Sequence, residues 1–279
     1  MINNLGYEKK LFILPFDHRS SFAKLFGFQA LTPEEKNYII SAKKIIYEAF
    51  QKAISQDVPK DQAAILIDEE YGSEILKDAT KKNITTLLTT EKSGGEGFEF
   101  EYGNGFAKHI EKYNPTFVKA LIRYEPDVDW SNLKKLSDYC HDNGCKFLLE
   151  VLMGLDVVTA KDLLPAIDDL REKGMEPDVW KLEGMENKND YESVITKIKE
   201  EKRQNVGLVI LGRGESKGKV KQWITAGRDT EGIIGFAIGR TIFSQPLKDF
   251  QNNKLNKDET IEKISNNFQY FYKLFGKRI

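Results

Sequence analysis

Three ionisable residues stand on three consecutive apolar segments: Lys119 in TFVKALIRY, Glu150 in KFLLEVL and Lys181 in DVWKLEG. A lysine carries a strongly hydrated charge and seldom enters an apolar strand without a partner or a task. Strand alternation puts Lys119 on one face with Leu121 and Arg123, Glu150 with Leu148, and Lys181 with Val179. If those faces share one interior, two amines and a carboxyl converge. One buried lysine is equally well a structural partner of an acid; three ionisable groups on neighbouring strands point to catalysis.

The chemistry that uses such a set is amine catalysis. A lysine is a nucleophile only when neutral, and burial beside a second cation favours the neutral form. Either Lys119 or Lys181 could be the nucleophile, with the other as the neighbouring cation. Attack on a ketone gives a carbinolamine and then a protonated Schiff base, an electron sink for an adjacent carbanion. The dehydration and C–C cleavage need proton transfer, for which Glu150 is the natural acid and base.

The elements that must position these groups are legible as a repeat. Eight short apolar runs recur, beginning at Leu11, Ala64, Ile84, Thr116, Lys146, Asp178, Val206 and Ile233, each followed by a segment of helical character. Strict polar alternation is largely absent, as expected of parallel strands covered on both faces. Between them, TPEEKNYIISAKKIIYEAFQKAI offers Thr32 as N-cap, Pro33 at the first helical position and Glu35 to close a capping box. Gly144 and Gly174 end two further helices. No linker or low-complexity tract divides the chain. The pattern predicts a single (β/α)8 TIM barrel over residues 1–279 with an extra C-terminal helix, NNFQYFYKLFG. An open doubly wound sheet would carry a glycine-rich phosphate turn after its first strand, and PFDHRSSF is not one. The aromatic C-terminal helix could cover a barrel end or meet a partner, and intrachain packing is the preferred reading.

A TIM barrel places its site at the C-terminal ends of the strands. The polar residues there are Asp17 and Arg19, Asp68 and Glu69, Glu91 and Lys92, then GRGESKGK after strand seven and GRTIF after strand eight. Backbone N–H groups of Gly212, Arg213 and Gly214, together with the Arg240 side chain, could surround a phosphate. The alternative for that glycine-rich stretch is a solvated turn. His18, His109 and His141 do not form a convergent zinc triad, whereas Asp17, Asp68, Glu150 and Glu183 could in principle hold magnesium. No metal or cofactor is expected. With 42 basic and 43 acidic residues and a formal net charge of −1, the composition gives no general attraction to nucleic acid or anionic membrane. No apolar run is long enough to span a bilayer, the N-terminal segment lacks a signal-peptide layout, and Cys140 and Cys145 supply no disulfide framework. A reduced cytoplasmic protein is the simplest expectation.

The segments LFILPFDHRSSF, LIDEEYG, EKSG, FEFEYGNGFAKHIEKYNPTFVKALIRY, KFLLEVL, WKLEG and GFAIGRTIF resemble, in order, an aldolase-like domain. That domain is the one fused C-terminally to 5-dehydro-2-deoxygluconokinase in inositol catabolism, and the resemblance runs from about residue 10 to about residue 250. A more distant similarity reaches class I tagatose-1,6-bisphosphate aldolases and their sulfosugar-phosphate relatives. The resemblance implies Lys181 as the Schiff-base lysine, with Glu150, Lys119 and Asp17 as its catalytic companions. It implies Glu91 and Lys92 as charges at the mouth, and Gly239 with Arg240 as a phosphate site. Gly212 stands where the tagatose enzymes carry a serine, with Arg213 a candidate replacement, and His18 stands where those relatives carry glutamine. The implied substrate is a small sugar phosphate, 2-deoxy-5-keto-gluconate 6-phosphate, cleaved to dihydroxyacetone phosphate and malonate semialdehyde. Another ketose phosphate, or a non-catalytic sugar-phosphate-binding role beside a kinase, are the competing readings. Candidate macromolecular partners are a second copy of the chain or a separate sugar kinase, and the oligomeric state is not legible in the sequence.

Overall fold

All eight apolar runs become strands of a closed parallel barrel in the order β1 to β8. The computed structural model describes residues 5–94 and 97–277, so the ends of the expected 1–279 unit lie outside the described residues. The strands are β1 (Leu11–Pro15), β2 (Ala63–Ile67), β3 (Thr85–Thr89), β4 (Phe117–Arg123), β5 (Lys146–Leu152), β6 (Val179–Glu183), β7 (Gly207–Leu211) and β8 (Ile233–Ala237). Helix α1 (Ser20–Leu25) and the long α2 (Pro33–Gln56) follow β1. Single helices follow the next six strands: α3 (Glu69–Lys81), α4 (Phe106–Tyr113), α5 (Ser131–Asp142), α6 (Ala160–Glu172), α7 (Lys188–Ile198) and α8 (Lys217–Gly227). After β8 come α9 (Arg240–Gln251) and α10 (Lys257–Phe275).

Local chemistry explains the helix ends. Thr32 accepts the Glu35 N–H, while the Glu35 carboxylate accepts the Thr32 N–H, so the expected capping box opens α2 with Pro33 at its first position. Gly144 and Gly174, one residue past the C-caps of α5 and α6, have φ of +72° and +85°, a region that favours glycine.

Alternation along the strands builds two apolar layers. Outward residues such as Phe12, Val118, Leu149, Trp180 and Phe236 pack under the helices. Inward residues Ile13, Leu66, Leu87, Phe117, Leu148, Val179 and Val209 fill the barrel. Tyr7 closes its N-terminal end edge-on to Phe117, with ring centroids 4.9 Å apart. Asp178, just before β6, pins that end by accepting the N–H groups of Gly6 and Phe147, each at 2.8 Å. The aromatic α10 packs within the chain, and it covers a side of the barrel and not an end. Tyr272 and Phe275 lie against Phe12 of β1, and Phe268 and Phe271 against Phe236 of β8.

Candidate active site

The inward positions of β4, β5 and β6 change character one step above the apolar filling. Phe117, Leu148 and Val179 belong to the barrel core, and the next inward residues are Lys119, Glu150 and Lys181. Glu150 pairs in register with Lys181, while Lys119 lies beside Leu148 and its long stem makes up the difference. The result is one shared oxygen: Glu150 Oε2 accepts from Lys181 Nζ at 2.8 Å and stands 3.1 Å from Lys119 Nζ. All three side chains are nearly inaccessible, yet they line the floor of a cavity of about 340 Å³ at the C-terminal mouth of the barrel.

Lys119 is ringed by carboxylates. Besides Glu150, it donates to Asp17 Oδ2 at 3.0 Å and to Glu91 Oε1 at 2.5 Å. Burial alone would push this amine down, but the charges of Asp17, Glu91 and Glu150 outweigh it and hold Lys119 well above the usual lysine range. The same attraction works in reverse on the acids. Burial raises Asp17 and Glu150, and the neighbouring lysines more than offset it, so both stay ionised below the usual carboxylate range. Lys119 is thus a fixed cation that organises three acids. Lys181, whose one hydrogen-bond partner among the described residues is Glu150, is the amine with fewer acids about it.

His18, on the loop after β1, was not among the expected site residues. Its imidazole lines the cavity, 3.8 Å from Asp17, and its Nδ1 is buried without a hydrogen-bond partner. Burial, reinforced by the positive charges of Arg240 and Lys181, holds it down at about 4 against the pull of Asp17, so it is neutral at pH 7. Its sequence signals are its position beside Asp17 at a strand end and its place where the resemblance puts a glutamine.

The other expected residues divide. Arg19, Glu91 and Lys92 line the cavity. Arg19 ties the β1 loop to the segment after β3 by donating to the Glu101 carboxylate and the Glu91 carbonyl. Lys92 sits at the exposed rim, 3.0 Å from Glu99. Asp68 is a correction: it faces away from the cavity, accepts the Tyr71 N–H at 2.8 Å as the N-cap of α3, and is paired with the buried Lys43 of α2. The four carboxylates considered for magnesium are therefore not brought together, since Asp68 pairs with Lys43 and Glu183 with Arg213.

On the β7–β8 side, Arg213, Gly214, Gly239 and Arg240 line the cavity, with Gly239 as N-cap of α9. A Cβ on Gly239 would lie 2.2 Å from the Pro15 carbonyl oxygen, so only glycine lets the chain pass there. Gly212 is a second correction, because its N–H donates to the Ala237 carbonyl at 3.0 Å within the sheet and is not offered to a ligand. The Arg213 side chain also turns aside, reaching Glu183 at 3.1 Å and the Leu155 carbonyl at 2.5 Å. Arg240 donates to the Arg213 carbonyl at 2.6 Å, leaving the rest of its planar guanidinium toward the cavity.

No helix among the described residues is long and apolar enough to cross a membrane. The barrel is similar to several solved structures. Cgl0159 from Corynebacterium glutamicum superimposes with a TM-score of 0.59 at 14% identity, over 99% of this chain and 89% of that one. The YdjI aldolase from Escherichia coli gives 0.57 at 12% identity, over 96% and 92%. A putative fructose-1,6-biphosphate aldolase from Coccidioides immitis gives 0.53 at 13% identity, over 84% and 85%. At such identities the likeness speaks to the fold. No curated protein matches the sequence. A family model does, over residues 3–279, and the chain belongs to that family, described as an uncharacterized protein conserved in bacteria (DUF2090).

Proposed function

We propose that the protein is a class I aldolase that cleaves a phosphorylated keto sugar acid through a Schiff base on Lys181. The observation that carries this reading is the shared Glu150 oxygen, which joins two buried lysines at the floor of an open cavity. The aldolases among the fold neighbours are consistent with it.

In this mechanism Lys181 passes a proton to Glu150 across their hydrogen bond, and the amine so freed attacks the substrate ketone. Glu150, 2.8 Å away, moves the protons that turn the carbinolamine into an iminium ion with loss of water. Glu150, ionised again after loss of water, takes the proton from the hydroxyl on the β carbon, and the adjacent C–C bond breaks. The bonding pair flows into the iminium to give an enamine, and the β carbon leaves as an aldehyde. Protonation of the enamine and attack by water release the ketone product and restore the amine. Lys119 holds Asp17, Glu91 and Glu150 in place, and its charge helps keep Asp17 and Glu150 ionised, so these groups need little reorganisation as charge moves. The phosphate lies against Arg240, Gly239 and Gly214, where the N-terminus of α9 also favours an anion.

The substrate favoured by the resemblance is 2-deoxy-5-keto-gluconate 6-phosphate, giving dihydroxyacetone phosphate and malonate semialdehyde, the place of such a domain in inositol catabolism. A sugar kinase on a separate chain would supply it. A panel of ketose phosphates, followed by coupled detection of released dihydroxyacetone phosphate, tests the assignment. The keto sugar acid phosphate should show the highest kcat/KM; a higher value for tagatose 1,6-bisphosphate or a sulfosugar phosphate would reassign the substrate. Binding without turnover of any member would point instead to a non-catalytic module.

A further inference from the structure

The inward face of β4 continues upward past the catalytic layer. Phe117 lies in the barrel core and Lys119 in the carboxylate cluster, followed by Leu121 and finally Arg123, exposed at the rim. Four residues of strand raise Arg123 about 13 Å above Lys119. Leu121 below it and, at its own level on the neighbouring strand, Leu152 form an apolar wall of the cavity. Among the described residues Arg123 makes no hydrogen bond or ion pair, which is unlike the other arginines lining the cavity. Glu183 feels the charge of Arg123, but its carboxylate is already engaged by the Met153 N–H at 2.8 Å and by Arg213.

The barrel topology fixes where this cation stands. Arg123 ends β4 and Arg240 follows β8, so three strands lie between them in either direction around the closed sheet. They occupy opposite walls of one cavity, and Lys181 on β6 lies between them. We infer that Arg123 is a second anion-binding residue, which receives a carboxylate at the end of the substrate remote from the phosphate. The ligand class is a linear molecule with a phosphate at one end, a carboxylate at the other and the reacting carbonyl between. An arginine suits that end because its fork matches both carboxylate oxygens. The inference rests on the Schiff-base reading for its orientation of the substrate, and it assigns the end that reading leaves unrecognised.

Two unreactive probes separate the two ideas. In 6-phosphogluconate and sorbitol 6-phosphate the chain and the phosphate are the same, and a carboxylate is exchanged for an alcohol. Calorimetric titration of the wild type should favour the carboxylate by about tenfold or more, as expected for a charge-assisted pair, and Arg123→Gln should reduce the ratio to near one. Because Arg123 is exposed at the rim, the substitution does not threaten the fold. A wild-type ratio near one, a ratio that survives Arg123→Gln, or one abolished by Lys92→Gln instead, overturns the assignment. None of these results depends on turnover, so a failed Schiff-base reaction in the wild type would be seen separately.

Discussion

Among the described residues the protein buries lysine against carboxylate in two places, and one of them opens to solvent. Lys43 of α2 meets Asp68 between α2 and α3, with the rings of Phe22 and Tyr71 each 5.4 Å from its Nζ. Both partners are at most 1% exposed, and neither lines the cavity at the barrel mouth. Lys119 and Lys181 are almost as buried, but their shared carboxylate forms the floor of that cavity. A buried lysine is therefore not a site by itself. A second amine, a shared acid and an open face distinguish the proposed catalytic arrangement from the structural one.

The strongest test of this difference is removal of each lysine. Lys181→Met should lower cleavage of the keto sugar acid phosphate by about 10⁴-fold or more, as loss of a covalent nucleophile does, with the barrel intact by circular dichroism. Glu150→Gln keeps the shape but loses the proton acceptor between the two amines. Its kcat should fall by about 10²- to 10⁴-fold in steady-state assays.

In the sealed pair the effect should appear in stability. Lys43→Met strands the Asp68 charge and should cost about 3–5 kcal/mol in urea unfolding. The double change Lys43→Met with Asp68→Asn retains an N-cap for Tyr71 and should recover most of that loss. A catalytic collapse in the double variant would erase the distinction between the two regions.

The smallest effect concerns pH. His18 titrates near 6.5 when unfolded and at about 4 in the folded protein, so the unfolded chain binds more protons between those values. Stability should therefore fall as pH drops from about 6.5 to about 4, by roughly 2 kcal/mol once the quarter exposure of the imidazole is allowed for. His18→Gln should flatten that window. The acid limb set by Asp17 and Glu150 should persist, since their lowered values contribute stability that is lost only at more acidic pH.

What the sequence made legible follows the same division. Strand parity placed Lys119, Glu150 and Lys181 together because alternation is local and the barrel repeats it on adjacent strands. The capping box at Thr32 was legible for the same reason. Asp68 was not, since its partner Lys43 lies 25 residues earlier on a helix whose inward face only packing defines. Gly212 shows the same limit at a strand end, where one residue decides whether an N–H joins the sheet or faces a ligand. Arg213 follows its backbone at φ +55°, and its side chain is directed to Glu183. Neither the trapped neutral state of His18 nor the unpaired state of Arg123 has a sequence signature, because both arise from what distant loops leave around them.

The most direct measurement of the central claim is borohydride reduction in the presence of dihydroxyacetone phosphate, followed by peptide mass spectrometry. The account predicts a stable adduct on the peptide that contains Lys181, absent without borohydride and absent in Lys181→Met. An adduct on Lys119 instead, or none on either lysine while the ligand still binds, would contradict it.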